Sequence, residues 1–375
     1  MTDFLLIGAG ISGLLLTREL LAAGASVCIV DRVQSGQEAS WAGGGIVSPL
    51  YPWRYADAVT ALANYAQDAY PALAAALQAE TGIDPELRQT GLLMLDAGDH
   101  DDALEWATRY QRSMQCWPST QFYQREPELN AGFQQALWMP YVSNIRNPRL
   151  LKALKASVLL HKRCTLLEHA EVCAFDISDD CVRAVTINQG GIRRNLQAAE
   201  IVVTAGAWTG RLLEQAGLPG LPVQPVKGEM LLYQPGRPLL TSIVLSKGRY
   251  LIPRADGLIL AGSTLEYSGF DKTASDHARS SLHASACNIL PVLADVPILS
   301  QWAGLRPGAP AGVPFIGRMP GIINLSVNAG HFRNGLVLAP AAARLMSDLL
   351  LGRAPVIDPL PYDPASPRPA DPGFL

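Results

Sequence analysis

An α/β fold is predicted, with a parallel dinucleotide-binding sheet and a second region rich in antiparallel strands. Three observations predict it. Phe4-Leu5-Leu6-Ile7 reads as a buried strand that runs into GAGISG, Gly8 to Gly13, and then into the apolar run Leu14-Leu15-Leu16. A second apolar run, Val27 to Val30, ends in Asp31, about 20 residues beyond the glycines, where an acidic side chain meets a ribose hydroxyl. Ile201-Val202-Val203 leads into TAGAWTGRLL, another strand–glycine–helix junction.

In the first junction Gly8 permits the tight turn, Gly10 lets backbone approach a pyrophosphate, and Gly13 lets helix pack on strand. The helix N-terminus adds unpaired N–H groups and a positive dipole end. The alternative is a glycine-rich helix cap without a ligand. A lone glycine fingerprint is weak, but strand, turn, helix, strand and acid in this order point to an adenine dinucleotide, with NAD and FAD both open. Two junctions in one chain suggest a cofactor gripped from both ends of the same sheet.

The 375 residues exceed one ordinary core, so two domains or an elaborated one is expected. Hydrophobic residues make up 49% and charged residues 17%, enough apolar material for a large core. A net charge of −3 and a pI near 6.1 give no electrostatic case for nucleic acid or an anionic membrane. No apolar run reaches the roughly 18 residues of a membrane span, and the N-terminus lacks the basic region of a signal peptide. Six scattered cysteines without a CxxC pair predict reduced thiols, a cytoplasmic protein and no metal site.

After Asp31, Gly43 to Gly45 suit a loop passing close to a flat ligand, with Trp41, Tyr51 and Trp53 around it. Asp57 to Glu80 reads as a helix that Pro71 should kink or divide. Thr90 to Leu95 reads as a strand, Asp101 to Met114 as an amphipathic helix, and Glu126 to Asn130 as a short turn or helix. Asn147-Pro148 is a helix start, an Asn cap before Pro at the first helical position. Residues 164–204 read as three or four antiparallel strands with turns at Asp179-Asp180 and Gly190-Gly191. Strands are expected at Met230–Tyr233, Tyr250–Pro253, Leu258–Ala261 and Ile322–Val327, and helices at Ser275–Leu290 and about Gly335–Leu351. Seven prolines between Pro355 and Pro372 predict an extended, loosely packed tail.

Taken together, GAGISG with Asp31, ASWAGGGIVSP, VVTAGAWTGRL, PVKGEMLLY, WAGLRPG and AGHFRNGLVLAP resemble the flavin-dependent D-amino-acid oxidase superfamily. Within it the chain is similar, over nearly its whole length, to the glycine oxidases of the thiamine pathway. The last two motifs are the most specific. The resemblance implies a glutathione-reductase-type FAD-binding domain in three pieces (1–84, 139–226 and 302–365), a substrate domain (85–138 and 227–301) and a tail (366–375). It implies FAD against Gly8, Ala9, Gly10, Ile11, Ser12, Gly13, Asp31 and Arg32. Ser40, Trp41, Ala42, Gly43, Gly44 and Gly45 would follow the pyrophosphate and isoalloxazine, with Val172 on the adenine side. Ala205, Gly206 and Trp208 of the second junction would also touch it, as would Gly330, His331, Phe332, Arg333, Asn334, Gly335 and Leu336. No cysteine follows Cys287, so FAD is expected to be non-covalent.

The reaction the resemblance implies is oxidation of glycine, sarcosine or small D-amino acids by hydride transfer to flavin N5. The imine then hydrolyses to the oxo acid and ammonia, and O2 reoxidises the flavin to give H2O2. Arg306 is the candidate carboxylate clamp, since a guanidinium fork pairs bidentately and stays charged; its alternative is an internal salt bridge. Tyr250 matches the family's carboxylate-bonding tyrosine, or is a packing residue. Arg333 stands where the last helix begins, near the expected flavin edge, or only caps it. His331 is expected to be structural or to contact flavin, because hydride transfer from a neutral amine needs no strong base. Tyr51, Trp53 and Glu266 are expected at the side-chain end of the pocket. A quinone-linked D-amino-acid dehydrogenase, or a flavoprotein oxidase acting on a modified tRNA base, are the alternatives. Oligomeric state stays open.

Overall fold

The computed structural model of the chain describes residues 2–95 and 97–368. The first expected strand forms as Thr2–Ile7, and it is the middle of a six-stranded sheet. The order is Phe315–Arg318, Leu325–Ala329, Ala198–Val203, Thr2–Ile7, Val27–Val30, Cys164–Leu167. All pairs are parallel except the antiparallel edge strand Phe315–Arg318. A parallel sheet of such apolar strands must be covered on both faces. Helices Ile11–Ala22, Asp57–Thr81, Asn147–Leu159 and Gly335–Leu350 cover one face through Leu14, Leu62, Leu150 and Leu338.

The other face is covered by the antiparallel strands Ala170–Ser178, Cys181–Gln189 and Ile192–Leu196, which bury Val182, Val185 and Ile187. Their turns are the two expected from sequence. Asp179 and Asp180 both have positive φ, as do Gly190 and Gly191, the twist a two-residue hairpin turn requires.

The second large sheet has eight strands. Their order is Ile298–Gly308, Gln224–Tyr233, Ile259–Gly262, Arg249–Pro253, Ile243–Ser246, Leu92–Leu95, Gln135–Met139, Gln115–Pro118. Only Ile243–Ser246 and Leu92–Leu95 pair in parallel. Side chains alternate along these strands. Leu231, Tyr233 and Leu251 pack on one face with Leu282, Ala286 and Ile289 of helix Asp276–Ile289. Met230, Tyr250 and Ile252 point to the other face, with Ile46 and Leu50. Ser275 caps that helix, its hydroxyl accepting from Ala278 N at 3.1 Å. Gln224–Tyr233, Ile298–Gly308 and Gln135–Met139 cross the positions where domain boundaries are expected.

Several expectations are corrected. The two glycine junctions follow neighbouring parallel strands and so lie side by side at one edge, not at opposite ends of the sheet. Pro71 does not divide Asp57–Thr81, which is one helix. A mid-helix proline costs about 3 kcal/mol, but Tyr70 and Leu77 flank it fully buried, each contributing about 1.5–3 kcal/mol. The helix expected over 101–114 is His100–Arg109, the turn at 126–130 is preceded by helix Ser119–Arg125, and the strand at 322–327 is Leu325–Ala329. Asn147 is the first residue of its helix rather than its cap. Ile298–Gly308 is an 11-residue strand that the glycines of WAGLRPG conceal. The proline-rich segment is largely exposed, as expected of a loosely packed tail, but it is pinned at two points. Tyr362 is buried and donates to Ala58 O at 2.8 Å, and Arg368 donates to Pro314 O at 3.0 Å. The rest of the expected tail, 369–375, lies outside the described residues.

Candidate active site

Strand order reverses about Thr2–Ile7, and a cleft opens beyond the carboxyl ends of it and its neighbours, the usual ligand position in such sheets. Its cavity volume is about 330 Å³, and its lining runs from Asp31 and Trp208 to Tyr250 and Arg306. A long, two-ended ligand fits it. Gly8 has φ +114°, and a Cβ there would lie 2.4 Å from Thr204 O; one on Gly13 would lie 2.0 Å from Gly8 O. Gly10 instead borders the cleft, where a Cβ would meet only Ser40 Oγ, at 3.1 Å.

Asp31 lines the cleft and also braces its floor, accepting from Ala9 N at 2.7 Å and Val33 N at 3.0 Å. Burial raises its carboxyl pKa. The second junction is tied to the first, since the Thr204 hydroxyl donates to Gly8 O at 2.6 Å. Val172, Ala205, Gly206 and Trp208 line this end. The Arg32 guanidinium lies 3.9 Å over the Trp208 ring and donates to Glu38 at 3.0 Å. A strap from the eight-stranded sheet reaches the same rim. Phe270 stacks on Trp208, with centroids 5.6 Å apart, and Lys272 Nζ lies 2.9 Å from Glu38 Oε2.

The triple-glycine loop follows a short helix, Ala39–Ala42, and is held from three sides. Asn147 Nδ2 donates to Ser40 O at 2.7 Å, Trp302 Nε1 to Ala42 O at 3.0 Å, and Arg254 Nη2 to Gly44 O at 2.7 Å. Arg254 also donates to Ile145 O at 3.0 Å; burial pushes its pKa down to about 10. Gly45 has φ +83°, and a Cβ on it would fall 2.0 Å from Ile145 O. The loop therefore presents bare backbone to the cleft in one fixed conformation.

Arg306, Tyr250 and Arg333 come together at the other end. Arg306 Nη1 donates to Thr264 O at 3.1 Å and Lys227 O at 3.3 Å, and Nη2 to Ser263 Oγ at 2.7 Å. These are neutral acceptors, so no salt bridge accounts for the residue. Burial, and secondarily the nearby Arg333 charge, lower the Arg306 pKa, while Tyr250 opposes this. The Tyr250 hydroxyl lies 3.5 Å from Met230 Sδ. Arg333 and the buried Phe332 occupy a single turn ahead of Gly335–Leu350, and Phe332 has φ +46°, a strained conformation for a non-glycine residue. His331 is buried, and burial lowers its pKa to about 4. It is neutral, as expected of a structural or ligand-contacting imidazole.

Of the other expected residues, Ile11, Ser12, Ser40, Ala42, Gly43, Gly44, Gly45, Gly335 and Leu336 line the cleft, whereas Ala9, Gly13, Trp41, Gly330 and Asn334 stand behind it. Trp41 packs edge-on against Trp302 at 5.5 Å. Tyr51, Trp53 and Glu266 are not on the wall; Leu50 and Ile46 are. Tyr51 accepts from Gly248 N at 3.1 Å, and Trp53 donates to Asp99 at 2.6 Å. Sequence reading missed Asn147, Gly228, Met230, Arg254 and Ser263. Arg254, ending the apolar run YLIPR, is the one that carried a local signal.

A fixed glycine turn at a helix N-terminus, a bare-backbone loop beside it and a second sheet closing the cleft define a dinucleotide-cofactor enzyme. The sequence profile of the DAO family, FAD dependent oxidoreductase, matches residues 3–349. The chain belongs to that family. It is 53% identical over 359 residues to a glycine oxidase of Pseudomonas aeruginosa, covering 96% of this chain and 97% of that one. It is 28% identical over 363 residues to a Trichormus variabilis protein named bifunctional protein ThiO/ThiG, covering 93% of this chain and 52% of that one. The crystal structure of glycine oxidase from Geobacillus kaustophilus superposes with a TM-score of 0.88 at 28% identity, covering 96% of this chain and 98% of that one. The cofactor is FAD, and the bare backbone at Gly10, Gly43, Gly44 and Gly206 along the cleft fits it.

Proposed function

We propose that the chain oxidises glycine, and sarcosine or small D-amino acids beside it, with O2 as acceptor. The observation that carries this is the pair of guanidinium groups at one end of the cleft. The acidic residues of its lining are Asp31, Glu38 and Glu171, whereas the Arg306 guanidinium bonds neutral acceptors, so its charge favours a carboxylate. Arg306 would bind the substrate carboxylate as a fork, with Tyr250 adding a hydrogen bond, and Leu50, Ile46 and Met230 would keep water away. Anchored by one end, a short amino acid presents its Cα in a fixed place. FAD bound here supplies a hydride acceptor for that carbon and passes the electrons to O2, giving H2O2. Burial holds the His331 pKa down at about 4, which makes the ring too weak a base to take the proton of an ammonium group, so the amine must arrive unprotonated. The imine product hydrolyses to glyoxylate and ammonia, or is consumed in thiazole formation for thiamine, a role supported by the two-part ThiO/ThiG relative.

The residues expected at the cofactor are proposed as its binding set, the six-stranded layer as the FAD domain and the eight-stranded layer as the substrate domain. No cysteine lines the cleft among the described residues, which supports non-covalent FAD. The absence of disulfides among the described residues supports a cytoplasmic protein; no described helix is long and apolar enough to cross a membrane. One experiment tests the reading: anaerobic flavin bleaching over glycine, sarcosine and D- and L-amino acids, then air readmitted with peroxide assayed. Glycine should bleach the flavin and give peroxide, and acid precipitation should leave the flavin in solution. Arg306→Ala should lose about 100-fold or more in kcat/KM with FAD retained. Wild-type turnover in that variant would sink the clamp; bleaching without peroxide would mean a dehydrogenase.

A further inference from the structure

Gln224–Tyr233 and Ile298–Gly308 pair with Gly228 opposite Gly304 and Val226 opposite Arg306. Residues two apart share a sheet face, so Val226, Gly228 and Met230 stand on the Arg306 face, and Lys227 and Glu229 on the other. The Arg306 side chain crosses to Gly228. A Cβ there would lie 2.1, 2.2 and 2.3 Å from Nη1, Nη2 and Cζ. The Gly228 backbone itself does not demand glycine, because its φ is not in the left-handed region. Glycine in a strand interior even weakens the strand.

We infer that Gly228 is a positioning residue for carboxylate recognition, the seat on which the Arg306 guanidinium rests; this deepens the reading of Arg306 as the clamp and rests on it. The seat selects the working edge of the guanidinium. Two Nη1 bonds go to Lys227 O and Thr264 O and one Nη2 bond to Ser263 Oγ, and the guanidinium also hydrogen-bonds Tyr250, so its open edge faces the cleft beside that phenol. A methyl at 228 must lift the group off these acceptors, because the strand cannot bow away. On its far face buried Lys227 lies 3.2 Å from the fully buried Glu229 carboxylate, which also accepts from Ser275 N at 3.0 Å and Gln301 Nε2 at 2.8 Å.

The test is Gly228→Ala in the holoenzyme, read by acetate titration of the flavin absorbance and by glycine kinetics. FAD content should match wild type, while acetate Kd and glycine KM rise about 10- to 100-fold. The same change in an Arg306→Ala background should add little. Unchanged acetate and glycine parameters, or an equal loss with Arg306 already absent, would overturn the inference. If Gly228→Ala fails to hold FAD, recovery in the double variant supports a clash with Arg306, and no recovery overturns it. Normal acetate binding by Arg306→Ala alone would refute the clamp itself, a separate failure.

Discussion

His331 shows what one buried side chain does to the molecule. Its pKa falls from 6.5 to about 4 because burial disfavours the charged ring. Between those two values the unfolded chain binds more protons than the folded one, so stability drops as pH drops through that window. The slope from this group reaches at most about 1.4 kcal/mol per pH unit. His331→Gln should flatten the decline, which urea unfolding at pH 7, 6 and 5 would measure; an unchanged slope would mean the ring titrates normally. Arg306, Tyr250 and Arg333 were legible in the sequence because short motifs carry them. Gly228 and Ser263 were not, since their roles exist only once strands some 40 to 80 residues apart lie together.

At the scale of the element, the glycine turn separates packing from binding. A Cβ on Gly13 would overlap Gly8 O, whereas one on Gly10 would meet only the end of the Ser40 side chain. Gly13→Ala should therefore destabilise the fold by about 1–3 kcal/mol. Gly10→Ala should melt close to wild type as apoprotein and weaken FAD binding instead. Thermal melts of the two apoproteins decide it; equal melting temperatures would contradict the assignment. Local pattern showed the first strand, its helix and both glycine junctions. It could not show that the junctions are neighbours, because strand order depends on pairing between residues nearly 200 positions apart. Pro71 misled for a related reason: intrinsic cost is visible locally, and the packing that offsets it is not.

Across the whole molecule, the parallel cofactor layer was readable from its ends, while the strand that carries Arg306 was hidden by glycines that serve the cleft. The two layers meet a second time at the rim, through Phe270 on Trp208 and Lys272 on Glu38. Lys272 is 44% exposed, so its ion pair contributes about 0–1 kcal/mol, and the ring stack about 0.5–1.5 kcal/mol. Combined Phe270→Ala and Lys272→Ala changes should speed FAD release about 3- to 30-fold, and high salt should mimic part of it; unchanged release, followed by flavin fluorescence, would rule this out. At the rim the strap makes its contacts on Trp208 and Glu38. If the release prediction holds, the working life of each holoenzyme depends on how often a surface loop unfastens, and the eight-stranded layer, proposed to choose the substrate, would also govern how long the six-stranded layer keeps its cofactor.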